Sequence, residues 1–515
     1  MSLYRAPREA VVASLPAPVG GWNARDSIAD MSELDAVIME NWFPGTTSVY
    51  MRFGYDPHVT GVGNQVESLL VWNGPSSSLM FGAASQYVYD VTNAGAVGAA
   101  ELSGLTNARW QYVNVSTTAG NYLIGVNGQD KSIIYNGSWH RDGDGAPYNV
   151  SGVDTADCIQ INLHKNRVWL VEERTLSAWY LPTSAIGGTA TEFSLNGVAQ
   201  LGGYLMWMAT WTIDAGYGVD DMAVFMTSEG EVIVYSGTDP ASAATWQLVG
   251  VWHIGTPLGR RSFLKYAGDL LVVTQDGVQP MSAALQSSRL NPKVSLTNKI
   301  QSAMSTAATV YGRNFGWELC YFAQQNQLYL NVPVNVNGAQ EQYVMNTITK
   351  QWCKFIGWGA NCFAILEDEI YFGGNGYVAK AWETNQDDGE DVTGTTLQAF
   401  NYFRNRSQQK QFTMIRPTFQ TNATPMVFGG INVDYDTSDN TATLQSISPS
   451  AGAALWDSAV WDGAVWGPDL SPALAWQGAQ GIGYCGAPRI KATVSAGQLL
   501  QWASTDVVFR RGGIL

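Results

Sequence analysis

Residues 222–236 read "MAVFMTSEGEVIVYS", two runs of strand-forming side chains on either side of Ser228, Glu229 and Gly230. A Val/Ile/Phe/Tyr run, a polar turn holding a glycine, and a second such run are the marks of a β-hairpin. The pattern recurs in "LMFGAASQYVYDV" (79–91), "YLIGVNGQDKSIIYN" (122–136), "RVWLVEERTLSAWYL" (167–181), "LLVVTQDGVQPMS" (270–282), "LYLNVPVNVNGAQEQYVMN" (328–346) and "IYFGGNGYVAKAW" (370–382). Asn127-Gly128, Asp276-Gly277, Asn337-Gly338 and Asn375-Gly376 supply the positive φ angles that tight turns need. The turns fall near residues 84, 128, 173, 229, 276, 338 and 376, with separations of 44, 45, 56, 47, 62 and 38 residues. A unit of about 40–50 residues around a central hairpin is the size of a propeller blade, whereas a sandwich would turn every 8–12 residues without this longer rhythm. The spacing predicts an all-β chain with a β-propeller of about six to eight blades over residues 61–385.

Composition agrees. The chain has 515 residues, 46% apolar and only 14% charged, with 54 glycines and 20 tryptophans. That balance excludes a disordered chain, and long Ala/Leu/Glu/Lys-rich helical segments are missing. The length predicts two or three domains. The formal charge of −15 argues against a grip on nucleic-acid phosphates. It permits an acidic wall that DNA slides past. The five cysteines are scattered, with no CxxC pair, so free thiols are expected, in keeping with folding in a reducing cytoplasm. The N-terminal "AVVASL" patch is too short for a secretory signal, and no run of roughly 18 apolar residues suggests a membrane helix.

Flanking regions read differently. Residues 1–60 are expected to form an extended N-terminal arm with strands. Within it, "SELDAVIMENWFPG" spaces Leu34, Val37, Ile38 and Trp42 at roughly helical intervals before Pro44-Gly45. The acidic stretch "WETNQDDGEDVTGTT" marks a connector, and residues 386–515 follow as a C-terminal β-rich domain, sandwich- or barrel-like.

Catalytic patterns are sparse. His58, His140, His164 and His253 lie far apart, and HExxH, GxSxG and Walker patterns are absent. Asp220 with Asp221, Glu172 with Glu173, and Glu367, Asp368 and Glu369 are the carboxylate groups a glycosidase would need, but each sits at a turn or strand entry. "DYDTSDN" (434–440) and the Asp142/Asp144 pair alternate oxygens as calcium loops do, without the Gly and Glu of an EF-hand. Asx-turns explain both more simply. No catalytic, cofactor or metal residues are assigned. The basic clusters are Arg260, Arg261 and Lys265, and "NYFRNRSQQK" with Tyr402, Phe403, Arg404, Arg406 and Lys410. The second is read as an inter-subunit contact.

Several segments have a familiar cast. "GGWNARDSIADMSELDAVIMENWFPG", "VYMRFGYDPH", "FNYFRNRSQQKQFTMIRPTF", "INVDYD", "WDSAVWDGAVWG", "GIGYCGAPRI" and "TDVVFRRGGIL" resemble blocks in tail structural proteins of short-tailed bacteriophages, the tail nozzle or hub family. The resemblance covers the first 60 and last 120 residues. It implies a non-enzymatic virion protein made in the bacterial host cytoplasm. It further implies a hexameric tube below the portal and adaptor ring, where fibres or spikes dock and viral DNA passes without specific binding. A receptor- or carbohydrate-binding adhesin and a glycan hydrolase are the competing readings. Trp456, Trp461 and Trp466 step by five residues, which aligns them on neither a strand nor a helix. They join Trp22, Trp42, Tyr402, Phe403, Arg404 and Arg406 as interface candidates.

Overall fold

The computed structural model describes residues 10–214, 219–284, 294–335, 338–443 and 470–514. Strand accounts for 55% of the chain and helix for 5%, so the fold class is all-β. The chain divides into two compact units. One holds residues 1–56, 342–357 and 381–515; the other holds 57–341 and 358–380.

The second unit carries the β-propeller-like arrangement. Four separate sheets have the form of blades. Gln111–Thr117, Gly120–Val126, Ile133–Tyr135 and Trp139–Arg141 make the first, an antiparallel meander. Cys158–His164, Arg167–Glu172, Ser177–Tyr180 and Thr191–Ser194 make the second. The third comprises Leu205–Asp214, Val219–Thr227, Glu231–Gly237 and Trp246–His253. The fourth has three strands, Phe263–Tyr266, Asp269–Thr274 and Gly277–Pro280. Further hairpins, such as Ser78–Ala84 with Tyr87–Asp90 and Cys362–Leu366 with Glu369–Gly373, lie outside these four.

Six of the expected turns fall between paired strands, and each contains a left-handed residue: Ser85, Gly128, Arg174, Gly230, Gly277 and Gly376. Asn337 of the seventh lies outside the described residues. The cores form between the faces of successive sheets. One cluster joins Trp169, Val171 and Tyr180 of the second blade to Met208, Phe225, Tyr235 and Trp246 of the third. Another joins Val224, Val232 and Val234 to Leu270 and Val272 of the fourth. Period-two alternation alone would leave one face wet; here both faces are apolar because each sheet has a neighbour on either side.

The first unit is built from pieces distant in sequence. Ala10–Pro16 pairs antiparallel with Leu500–Ile514, which pairs along its other edge with Gln408–Thr421. Gln477–Gly483 and Ser471–Leu474 continue that sheet. A second group runs from Asp35–Glu40 through Glu390–Gln398 and Gly486–Val494 to Met426–Val433. Leu15, Phe412, Ile415, Val507 and Phe509 of the first sheet share a core with Ile431 of the second group. The N-terminal arm is therefore integrated with the C-terminal strands, and residues 342–357 join them.

The helical spacing at 34–42 does not form a helix. Asp35–Glu40 and Trp42–Pro44 are strands, and Asn41 between them takes φ 58°. β-branched Val37 and Ile38 favour the extended form, and pairing to Glu390–Gln398 settles it. Arg52, with a fully buried side chain, pins this region: Nη1 donates to Asp387 Oδ1 at 2.8 Å and Nη2 to Oδ2 at 2.5 Å. It also donates to the Ile356 carbonyl at 2.7 Å and to Asn41 Oδ1 at 2.8 Å.

At Gly230 φ is +85°, and an added Cβ would lie 2.5 Å from the Gly255 carbonyl carbon. Gly230→Ala is expected to destabilise the propeller unit by about 1–3 kcal/mol, read as a lower midpoint in thermal unfolding; an unchanged midpoint would contradict the turn assignment.

Candidate interaction surfaces

The strand Gln408–Thr421 alternates between the core and the outside of the first unit. Ile415 and Phe419 point into the core. Met414, Arg416 and Thr418 point out. Register carries this face across the sheet: Met414 faces Val508, which faces Val12. Gln411 faces Ile482, and Thr418 faces Leu474. Val12 and Ile482 are each 60% exposed, Leu474 52%, and Met414 38%. In the middle, Arg416 Nε and Nη2 both donate to Asp506 Oδ2, at 3.0 and 2.5 Å. The Trp476 ring covers the Arg416 guanidinium at 4.7 Å. Five exposed apolar side chains around one ion pair make a contiguous patch of the kind that marks an interaction surface.

The residues chosen from sequence fare unevenly. Trp42 is fully buried and packs edge-on against Trp502 at 6.0 Å, so it is a core residue rather than a contact. Phe403 is also buried, 5.0 Å from Phe509 and 5.5 Å from Phe412. Lys410 turns inward too, its Nζ donating to the carbonyls of Asn405, Gln408 and Tyr484 at 2.6, 2.9 and 2.8 Å. Phe403 and Arg404 both take positive φ, 48° and 67°, so the loop reverses and sends alternate side chains to opposite sides. Arg404 and Arg406 remain exposed. Arg406 lies over the Tyr402 ring at 4.6 Å and meets Asp30 at 3.0 Å. That pair is open to solvent and contributes little. The Tyr402 hydroxyl bonds to that of Tyr435. Trp22 is half-buried, 5.2 Å from Tyr343. Trp456, Trp461 and Trp466 lie outside the described residues.

The acidic candidates are absorbed locally. Asp434 Oδ1 accepts from the backbone of Tyr484 at 2.7 Å and of Cys485 at 3.2 Å. Asp436 accepts from Ser438, and Asp439 from Thr441. Asp142 accepts from Val150 N and Thr155 Oγ1, and Asp144 from Arg141 N. Only Asp436 and Asp439 make the Asx-turns that the sequence favoured, because Asp434, Asp142 and Asp144 accept from groups that are not two residues ahead; no cluster of potential metal ligands occurs among the described residues. Glu172 accepts from Trp179 Nε1 at 2.9 Å, while Glu173 pairs with Arg260 at 3.1 Å. Asp221 accepts from Thr212 Oγ1 at 2.7 Å. Glu367 and Asp368 form a left-handed turn. All five cysteines are free and buried.

No family model matches the chain, and no curated protein matches it. Solved structures with similar arrangements include BBS1N in complex with ARL6DN, 10% identical over 65% of this chain and 97% of that one, with a TM-score of 0.39. The Cps50 (Swd1) β-propeller domain of Myceliophteria thermophila is 11% identical over 61% and 96%, TM-score 0.36. Saccharomyces cerevisiae Sqt1 is 11% identical over 64% and 98%, TM-score 0.37. Likeness at this level carries no functional argument.

The histidines stay apart, and His164 alone is buried. Thr210 Oγ1 donates its one proton to the Leu163 carbonyl at 3.0 Å, so it accepts from His164 Nδ1 at 3.0 Å. The proton therefore sits on Nδ1, and Nε2 has no hydrogen-bond partner among the described residues. Burial, reinforced by Lys165, pushes the ring down to about 4. The neutral ring is favoured on folding, so its contribution is full above the unfolded value of about 6.5 and is lost as pH falls toward about 4. Wild type should lose roughly 3 kcal/mol more stability across that window than His164→Gln; parallel pH profiles in chemical unfolding would refute the assignment.

Proposed function

We propose that this chain is a structural protein of a bacteriophage tail, a nozzle or hub subunit that assembles into a hexameric ring in the virion. One observation carries the reading. Among the described residues, the segments that resemble tail proteins lie at opposite ends of the sequence, yet all but Pro57 and His58 fall in a single folded unit, with Ala10–Pro16 paired to Leu500–Ile514. A shared sequence signature confined to one body is what a common assembly role would leave behind.

The unit reads as a sandwich-like ring former. Its outward patch of Val12, Met414, Ile482, Leu474 and Trp476 is the surface we assign to contacts between copies, since heterologous contacts repeated by rotation close a ring. The second unit reads as a seven-bladed propeller. Inner strands Gln111–Thr117, Cys158–His164 and Leu205–Asp214 are successive neighbours, Phe263–Tyr266 lies beside Glu318–Phe322, that strand lies beside Cys362–Leu366, and the last reaches Ser78–Ala84. In the assembly it would serve as a buttress or as the docking site for fibres, next to an adaptor ring. The −15 charge supports a lumen that repels phosphate and lets DNA pass without specific binding.

Mass measurement with negative-stain imaging of the purified protein tests the role. A sixfold annulus is the expected result, and a trimer or a monomer would overturn it. Val12→Asp combined with Met414→Asp should release monomers whose circular dichroism matches wild type, because both side chains lie on the outward face.

A further inference from the structure

Arg109, Arg260, Arg261 and Arg313 come from three separate stretches of sequence and line one cavity of about 350 Å³ in the propeller unit. Arg109 precedes the strand Gln111–Thr117, Arg260 and Arg261 precede Phe263–Tyr266, and Arg313 follows the helix Gln301–Tyr311. A protein with only 28 basic residues against 43 acidic ones places four arginines here.

Their pairing is incomplete. Arg109 gives only Nε to Glu67, at 3.0 Å. Arg260 gives only Nη2 to Glu173, at 3.1 Å, and Arg261 reaches Glu318 only at 3.5 Å. None of the three forms the two-point fork that Arg52 makes with Asp387. Arg313 is exposed and has no ion pair among the described residues. Nη2 of Arg261 donates to Ser68 Oγ at 2.5 Å and to the Trp110 carbonyl at 3.0 Å, which ties that guanidinium to two other strand groups. Phe315 is flanked by Arg109 at 4.4 Å and Arg261 at 5.1 Å, so both planar groups are held in place by the same ring. The cavity therefore offers pre-positioned N–H donors whose planar forks match an oxyanion. Gln111 and Gln129 add side-chain amides to the lining. These present a donor and an acceptor each, the pair that a hydroxyl requires.

We propose that this cavity binds a small hydroxylated anion, of the class of sugar acids and sugar phosphates. The arginines would hold the oxyanion and the amides the hydroxyls. The volume is in the range of small-molecule sites and excludes a folded partner. This inference rests on the second unit alone and stands whether or not the chain forms a ring.

Calorimetric titration of the full chain with glucuronate, glucose 6-phosphate, glucose and inorganic phosphate tests it. Saturable binding of glucuronate or glucose 6-phosphate is expected, and the preferred one identifies the anion. Arg313→Ala, a change at an exposed side chain that leaves the fold intact, should weaken it about tenfold, the worth of one charge-assisted hydrogen bond. Gln129→Ala should weaken the sugar ligands and leave inorganic phosphate unchanged. Four results would overturn the proposal: no binding, equal binding of glucose, equal binding of inorganic phosphate, or full affinity in Arg313→Ala.

Discussion

The propeller unit depends on one backbone constraint, a left-handed residue at the described hairpin reversals that the sequence marked. A right-twisted pair of strands can be joined tightly only if the connection carries positive φ. Glycine meets that demand at residues 128, 230, 277 and 376; Ser85 and Arg174 meet it without glycine. Once the reversals are fixed, the strands between them present apolar residues on both faces, and the cores that follow lie between sheets rather than inside any one of them. Trp169 shows how the faces knit together: it stacks on Trp246 of the next blade at 5.8 Å, while Phe225 of that blade stands edge-on to it at 5.7 Å.

This local character made the propeller legible in sequence. A hairpin is encoded within about fifteen residues, so Asn-Gly and Asp-Gly pairs between Val/Ile runs are enough to place it. The other unit is encoded at long range. Val37 and Ile38 have a helical interval but become strand because Glu390–Gln398, some 350 residues away, offers backbone partners. Phe403 and Lys410 sit in a stretch that resembles a surface cluster, yet two consecutive positive-φ residues send Phe403 inward and three carbonyls take the lysine.

The outward patch escaped for a related reason. Gln408–Thr421 carries register shifts near residues 410, 413 and 419, and each one breaks the period of two by which inside and outside are counted. Met414 cannot be assigned to a face until its partner Val508 is known. The arginine cavity was hidden more simply. Arg260 and Arg261 are visible as a pair, but Arg109 and Arg313 each stand alone in sequence, and only loop convergence brings them together. Composition pointed the other way, because a net acidic chain conceals a local basic site.

The pairing of Ala10–Pro16 with Leu500–Ile514 has a consequence for synthesis. A ribosome makes the first of these strands nearly five hundred residues before its partner. The propeller's hairpins join strands close in sequence, whereas the sheet that carries Val12, Val508 and Met414 cannot exist until Leu500–Ile514 has been translated. A product truncated before Leu500 would lack that surface. The same outward face therefore depends on both segments, and loss of either one removes it.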